Sequence, residues 1–210
     1  MPQSTTDREY RQWRPPVETP LSDLHGCFDD LFAAREFAER LVAEFGKDTP
    51  DSMLLDALAT ALFVRYCRSF TTGARIRLQL EDHLSLTSAD RELHSRLREI
   101  RDWHIAHPVN LQEIQALYVA FDPNPAATTG VVGISATSSS DLGITSHEAE
   151  AAVVLCQQWL DWLRPLINQE YARLRPLADK LSRQELFSLP SDEVEPSLNL
   201  RARRMQRKPK

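Results

Sequence analysis

The sequence predicts a mainly α-helical protein, a four- or five-helix up-down bundle with a small β-hairpin insertion. Apolar residues recur at three- and four-residue spacing over several long segments, as they do along one face of a helix. Glycine supplies only 6 of the 210 residues, too few for a sandwich or barrel with many tight turns. The stretch 109–144 loses the helical period and contains two runs of β-forming residues. The length fits one domain with a substantial core.

The first helix is predicted over about 21–46. It follows an arm, residues 1–20, that contains four prolines and no apolar period, and we expect this arm to be irregular. Ser22 or Asp23 can cap the start of the helix. Gly46 stands where a glycine commonly ends a helix.

The second helix is predicted over about 51–70, with Asp51 and Ser52 as candidate N-caps. The linker that follows, 74–87, is open to two interpretations. Its segment RIRLQL alternates like a strand, whereas the ends of the linker fit a helical turn.

The third helix is predicted over about 88–107. Ser88 or Asp90 can cap its start, and the spacing Ser88-x-x-Arg91 predicts no capping box. Pro108 disfavours the α conformation at the preceding residue, so the helix should loosen there.

A two-stranded hairpin is predicted next, with strands at 114–121 and 131–135 and a turn-rich loop at 122–130. Thr145 and Glu148 then form a capping box that opens a long helix.

Two prolines inside this long helix, Pro165 and Pro176, predict a kink or a break. The predicted division of the chain is an irregular arm (1–20), a helical domain (21–184, with the insertion at about 110–144) and a flexible basic tail (185–210).

Positive charge is distributed unevenly, although the formal net charge is −5. Eight arginines against five acidic residues lie between Arg65 and Arg101, and no lysine or arginine occurs from 102 to 163. The basic segment either contacts phosphates or forms a solvated helix face with nearby acidic partners. The end of the tail, 201–210, holds six basic residues, which could touch nucleic acid or an acidic partner or could only aid solubility.

The cysteines and the motif inventory exclude several classes of protein. Cys27, Cys67 and Cys156 are far apart, and their odd number predicts buried free thiols in a reducing cytoplasm. No segment is apolar for long enough to predict a transmembrane helix. The sequence contains no Glu-x-x-His, Cys-x-x-Cys, His-Glu-x-x-His, P-loop or nucleophile-elbow motif, so we expect neither a metal nor a cofactor.

The most informative segment is RELHSRLREIRDWHIAHPVN (91–110). On a helical wheel its apolar arc consists of Leu93, Leu97, Ile100 and Trp103. The adjoining arc, our predicted RNA-binding surface, consists of Arg91, His94, Arg98 and Arg101. His104 falls inside the apolar arc. Such a face can hold a phosphodiester, because arginine supplies charge and fixed donors and histidine can transfer a proton near neutral pH.

The heptapeptide RDWHIAH within this segment resembles the R-x(4–6)-H signature of HEPN domains. These are all-helical proteins found in prokaryotic toxins and abortive-infection systems. The matching residues are Arg101, the polar Asp102 directly after it, and His107 after five intervening residues.

Two further features resemble the abortive-infection branch of the family. One is His104 together with the pair Ala106 and His107, and the other is the segment 63–78, which is similar to the second-helix region of that branch. The resemblance covers about residues 50–160.

The resemblance implies a metal-independent endoribonuclease without a cofactor, the toxin or effector of a toxin–antitoxin or phage-defence pair. It implies a homodimer in which the motifs of both chains line one cleft. His107 would serve as general base or acid, and Arg101 would stabilise charge on phosphorus. Asp102 would orient one of them, and His104 would assist or hold the dimer.

Each of these residues also has a structural interpretation. Arg101 and Asp102 can form a surface ion pair, His104 can be a packed core histidine, and His107 can be a cation at a helix C-terminus. We expect His83 and His94 to face solvent, and Trp103, Trp159 and Trp162 to lie in the core. The alternative function is that of a non-catalytic helical protein that binds a protein partner or RNA.

Overall fold

A computed structural model of the chain describes residues 11–71, 76–102, 113–121, 131–140 and 143–190. The helices are α1 (Leu21–Phe45), α2 (Ser52–Arg68), α3 (Ser88–Ile100), α4 (Ser146–Ala178) and α5 (Arg183–Ser188), and the strands are β1 (Glu113–Phe121) and β2 (Val131–Ser140). The predicted class, a helical bundle with a small hairpin, is confirmed.

The core lies among the first four helices. α1 packs most extensively against α4 and α2, and α3 makes smaller contacts with α2 and α4. The largest fully buried side chains come from α1, α2, α3, α4 and the residue Phe70 just after α2. They include Leu31, Phe63, Tyr66, Phe70, Leu97 and Trp159. All three cysteines are free and buried, as predicted.

The starts of α1 and α2 are held differently. Asp51 caps α2 as predicted, because its Oδ1 accepts hydrogen bonds from the amides of Met53 and Leu54 at 3.0 and 3.2 Å. The predicted cap of α1 is wrong. Neither Ser22 nor Asp23 holds that position, and α1 begins after Pro20 without a side-chain cap.

The starts of α3 and α4 each have a capping box. At α4 it is the predicted pair Thr145 and Glu148. At α3 the N-cap is Thr87, whose hydroxyl accepts from the amide of Asp90 while the Asp90 carboxylate accepts from the amide of Thr87. The prediction that α3 lacks a capping box was wrong, because it placed the cap one residue too late.

The two prolines do not break α4. Pro165 and Pro176 both lie inside one continuous helix, and both are exposed. The carbonyl groups that lose their intrahelical partner can therefore bond water, while the opposite, apolar face of α4 stays packed on α1.

The linker before α3 forms no strand within its described part, 76–87. Its residues 76–79 have no regular secondary structure, and a single 3₁₀ turn follows at Leu80–Asp82. The helical interpretation of the end of this linker is the correct one.

The hairpin is antiparallel and pairs Val119 with Ile134 and Ala120 with Gly133. A register irregularity follows Ala120, where Phe121 pairs with Val131. Tyr118, Val119 and Ile134 are exposed, so this part of the hairpin stands out from the helical body.

The two ends of the described chain meet. The amide of Gln12 donates to the carbonyl of Pro190 at 2.9 Å, and the Arg11 guanidinium donates to the carbonyl of Leu189 at 3.1 Å. The arm from 11 to 20 is irregular, as predicted, and α5 spans the predicted domain boundary at 184. Within the described ranges, no helix has both the length and the apolar character needed to span a bilayer.

Candidate nucleic-acid interface

The two residues directly after α3, Arg101 and Asp102, form a solvent-exposed ion pair. Nη1 of Arg101 lies 2.7 Å from Oδ1 of Asp102, and the two side chains are 37% and 55% exposed. The backbone of both residues widens into a π-type turn, a geometry that is frequent at functional sites. The predicted pair therefore exists, and Asp102 fixes the direction of one donor of an accessible guanidinium.

Arg98 lies one turn before Arg101 and is half-buried. It directly follows Leu97, whose carbonyl oxygen lies 3.6 Å from the thiol of Cys67, so Arg98 stands next to the α2–α3 contact. Among the described residues, Arg98 has no carboxylate partner within ion-pair distance. Its charge is therefore available to an anionic ligand.

Arg91 helps to hold the turn that precedes α3. Its Nη1 and Nη2 donate to the carbonyls of Leu80 and His83, each at 3.3 Å. The predicted contact between Arg91 and RNA stays a prediction. It would use N–H groups of the guanidinium that take no part in these two hydrogen bonds.

His94 does not face solvent, and this corrects its predicted place on the basic surface. The residue is 2% exposed, and its Nδ1 lies 2.9 Å from the hydroxyl oxygen of Tyr66. Its ring meets the ring of Phe70 edge to face, with centroids 4.6 Å apart. His94 borders the apolar arc of α3, and these two aromatic residues of the α2 region cover it. His94 therefore packs in the core and does not offer its side chain to a phosphate.

Burial controls the ionisation of this pair. Desolvation and, to a smaller extent, the charge of Arg98 lower the pKa of His94 to about 4. Burial also raises the pKa of Tyr66 well above its ordinary value. A neutral imidazole and a protonated phenol therefore share the buried hydrogen bond at neutral pH.

Acid is expected to destabilise the protein through His94. The imidazole takes up a proton below about pH 6.5 in the unfolded chain, but only near pH 4 in the folded protein. The stabilisation is therefore complete above pH 6.5 and is lost as the pH falls towards 4, by up to about 3 kcal/mol. Urea unfolding at pH 7.5, 6, 5 and 4 measures this loss.

The matched comparison is His94→Gln against His147→Gln, because His147 is exposed on α4. His94→Gln should flatten the pH dependence between 6.5 and 4, and His147→Gln should leave it as in the parent. Several carboxyl groups with lowered pKa values also make the folded protein less stable in acid, and this contribution is the same in all three proteins. Equal slopes for the parent and His94→Gln would contradict the prediction.

His83 is also buried, at 5% exposure, so its predicted solvent-facing position is wrong. Its Nε2 lies 3.2 Å from the carbonyl oxygen of Gln158, and its ring stacks on Trp162 and meets Trp159 edge to face. Trp159 is fully buried and Trp162 packs against the core, as predicted for both.

The remaining predicted site residues lie outside the described part of the chain. These are His104 and His107, together with the predicted core residue Trp103. Their roles stay predictions from the sequence.

Arg65 and Arg68 were not identified from the sequence as candidate site residues. Nη1 of Arg65 lies 2.9 Å from Oδ1 of Asp30, and Nε of Arg68 lies 3.4 Å from Oδ2 of the same carboxylate. Asp30 is 2% exposed, whereas both arginine side chains are about half exposed. A signal existed in the sequence: Asp30 interrupts an apolar stripe of α1 between Cys27 and Ala34, and a buried carboxylate needs a cationic partner.

The described side chains contain no group of three or more His, Cys, Asp or Glu residues that could hold a metal ion. The chain matches no protein-family model, no curated protein and no solved structure. Its function must therefore be inferred from its own residues.

Proposed function

We propose that this chain is a metal-independent endoribonuclease of the HEPN type, acting as a toxin or phage-defence effector. The observation that carries the proposal is the exposed guanidinium of Arg101, held by Asp102 at the end of α3. In the sequence, His104 and His107 follow within six residues. The mainly helical fold supports the proposal, because the family resembled is all-helical.

In the proposed reaction the 2′-hydroxyl of the RNA attacks the adjacent phosphorus, and the bond to the 5′-oxygen of the next nucleotide breaks. His107 takes the proton of the 2′-hydroxyl or gives one to the leaving oxygen. Arg101 stabilises the negative charge that develops on the phosphoryl oxygens. Asp102 orients Arg101, and His104 assists. The nucleophile belongs to the substrate, so this step uses no cofactor, and its products are a 2′,3′-cyclic phosphate and a 5′-hydroxyl.

The proposal includes a homodimer, in which the motifs of two chains line one cleft, and a cognate antitoxin as a further partner. Sedimentation at micromolar concentration should show the dimer. A monomer would count against a cleft built from two chains.

The test is cleavage of a mixed RNA substrate in the presence of EDTA. We expect cleavage to persist in EDTA and the new 3′ ends to carry a cyclic phosphate. Cleavage that EDTA abolishes, or new 3′ ends with a free hydroxyl, would contradict the mechanism.

A second function, a non-catalytic protein that binds RNA or a protein partner, is favoured by one observation. Asp102 already occupies a donor of Arg101, as in an ordinary surface ion pair. Binding of RNA without cleavage of any RNA tested would select this second function.

A further inference from the structure

Arg65 and Arg68 of α2 differ from the other ion-paired arginines of the described residues in how their charge is neutralised. Arg65 and Arg68 share the single carboxylate of Asp30, and that carboxylate is buried. Elsewhere on the described surface each of several arginines faces a carboxylate of its own, namely Arg96, Arg164, Arg173 and Arg175. The cluster on α2 therefore keeps an excess of positive charge.

The buried carboxylate of Asp30 fixes the positions of Arg65 and Arg68. The two oxygens of Asp30 face different arginines, Oδ1 facing Nη1 of Arg65 and Oδ2 facing Nε of Arg68. Asp30 lies in the α1–α2 contact and faces one nitrogen of each guanidinium, while both arginine side chains are about half exposed. Guanidinium groups held in this way lose little further entropy when they bind a phosphate.

The arginines of α3 lie on a helix that packs against α2. The Cys67 thiol lies 3.6 Å from the carbonyl oxygen of Leu97, so Cys67 and Leu97 lie opposite each other where α2 contacts α3. Arg98 directly follows Leu97, and Arg101 lies about one turn later, so both arginines follow the point where α3 contacts α2.

Helix geometry then relates the two pairs of arginines. Arg68 directly follows Cys67 and points about 100° away from it, and Arg65 lies one turn before Arg68 on the same side. Arg65 and Arg68 of α2, together with Arg98 and Arg101 of the adjacent helix α3 and its end, form a set of four arginines on two neighbouring helices, here called the arginine strip. Among the described residues, the acidic side chains within ion-pair distance of this strip are Asp30, which is buried, and Asp102, which is paired with Arg101.

We infer that Arg65 and Arg68, held by the buried carboxylate of Asp30, form a phosphate-binding surface that continues the strip of Arg98 and Arg101 and guides the RNA backbone to the end of α3. This inference rests on the proposed function, because RNA is its ligand. It assigns binding to α2 and leaves the chemical step to the α3 motif.

The experiment measures binding of a labelled single-stranded RNA at several salt concentrations. Removing only the two arginines would leave the buried carboxylate of Asp30 without these cationic partners. The variant therefore also neutralises Asp30 and is Asp30→Asn/Arg65→Gln/Arg68→Gln. Its matched control is Asp161→Asn/Arg164→Gln/Arg175→Gln, which makes the same three exchanges on the exposed face of α4. Circular dichroism and urea unfolding check the fold of both proteins.

We expect the α2 variant to bind RNA more weakly and to lose about 1.4 from the slope of log K against log salt, since each phosphate contact to a single strand contributes about 0.7. The affinity difference from the parent should narrow about sevenfold between 50 and 200 mM salt. The α4 control should keep the parent slope. If the triple variant does not fold, Arg68→Gln alone, which leaves Arg65 on Asp30, should lower the slope by about 0.7.

Cleavage separates this inference from the proposed function. The α2 variant should raise KM and leave kcat unchanged. Parent-like RNA binding by a folded α2 variant, or no RNA binding by the parent, would overturn the surface. Binding that depends on Arg65 and Arg68 in a parent that cleaves no RNA would support the surface and overturn the proposed chemistry.

Discussion

Trp159→Ala is expected to lower the free energy of unfolding by about 3–5 kcal/mol, as for other large aromatic residues removed from a packed core. Trp159 is completely buried, and its ring lies 5.1 Å from Phe70, 4.9 Å from His83 and 5.6 Å from Trp162 between centroids. Its removal leaves a cavity where α4 meets the α2 region and the turn before α3. Urea unfolding at neutral pH measures the loss.

Two further variants sharpen this prediction. The indole N–H of Trp159 is buried and makes no hydrogen bond within the described residues. Trp159→Phe keeps a ring and removes this unpaired donor, so it should cost less than alanine. Val154→Ala, at a half-exposed position of the same helix, is the control and should cost under about 1 kcal/mol. A loss as small as that of Val154→Ala would contradict the central place of Trp159.

The helices could be predicted because their signals are local. α1 was predicted over 21–46 and spans Leu21–Phe45, and α2 was predicted over 51–70 and spans Ser52–Arg68. The apolar period and a capping side chain such as Asp51 are properties of a few consecutive residues, which the sequence displays directly.

The errors have non-local causes. His94 borders the apolar arc of α3, and only the position of Tyr66 and Phe70 on another helix decides that it is buried. The predicted break at Pro165 or Pro176 does not occur, because both prolines face solvent while the packing of α4 on α1 keeps the helix continuous. A single sequence does not contain these tertiary neighbours.

The candidate site shows the same division. The pairing of Arg101 with Asp102 joins adjacent residues, and the sequence suffices to predict it. The pairing of Asp30 with Arg65 joins residues 35 positions apart on two helices, and it depends on how α1 and α2 are packed. The acidic residue inside the apolar stripe of α1 shows that a partner is needed, but it does not identify that partner.

Loss of RNA cleavage is the largest effect that we predict. Arg101→Ala should lower kcat by about 10²–10⁴, because it removes the cation that stabilises charge on the phosphoryl oxygens. His107→Ala removes the proton carrier and should cost a comparable factor of about 10²–10⁴. Arg101 is exposed and bonds to its neighbour Asp102, so the Arg101→Ala protein should unfold at nearly the parent urea concentration.

The control for Arg101→Ala is Arg164→Ala, which removes another exposed arginine that lies near an acidic side chain, Asp161. Because Arg164 is on α4, away from the α3 motif, this variant should cleave RNA at the parent rate. Arg101→Lys keeps the charge but loses the two-pronged donor geometry, and we expect an intermediate rate. Single-turnover cleavage in EDTA measures all four proteins against the parent. Parent-like rates in both Arg101→Ala and His107→Ala would show that the α3 motif does not carry the reaction, whereas a loss in both with normal Arg164→Ala would assign the chemistry to that motif.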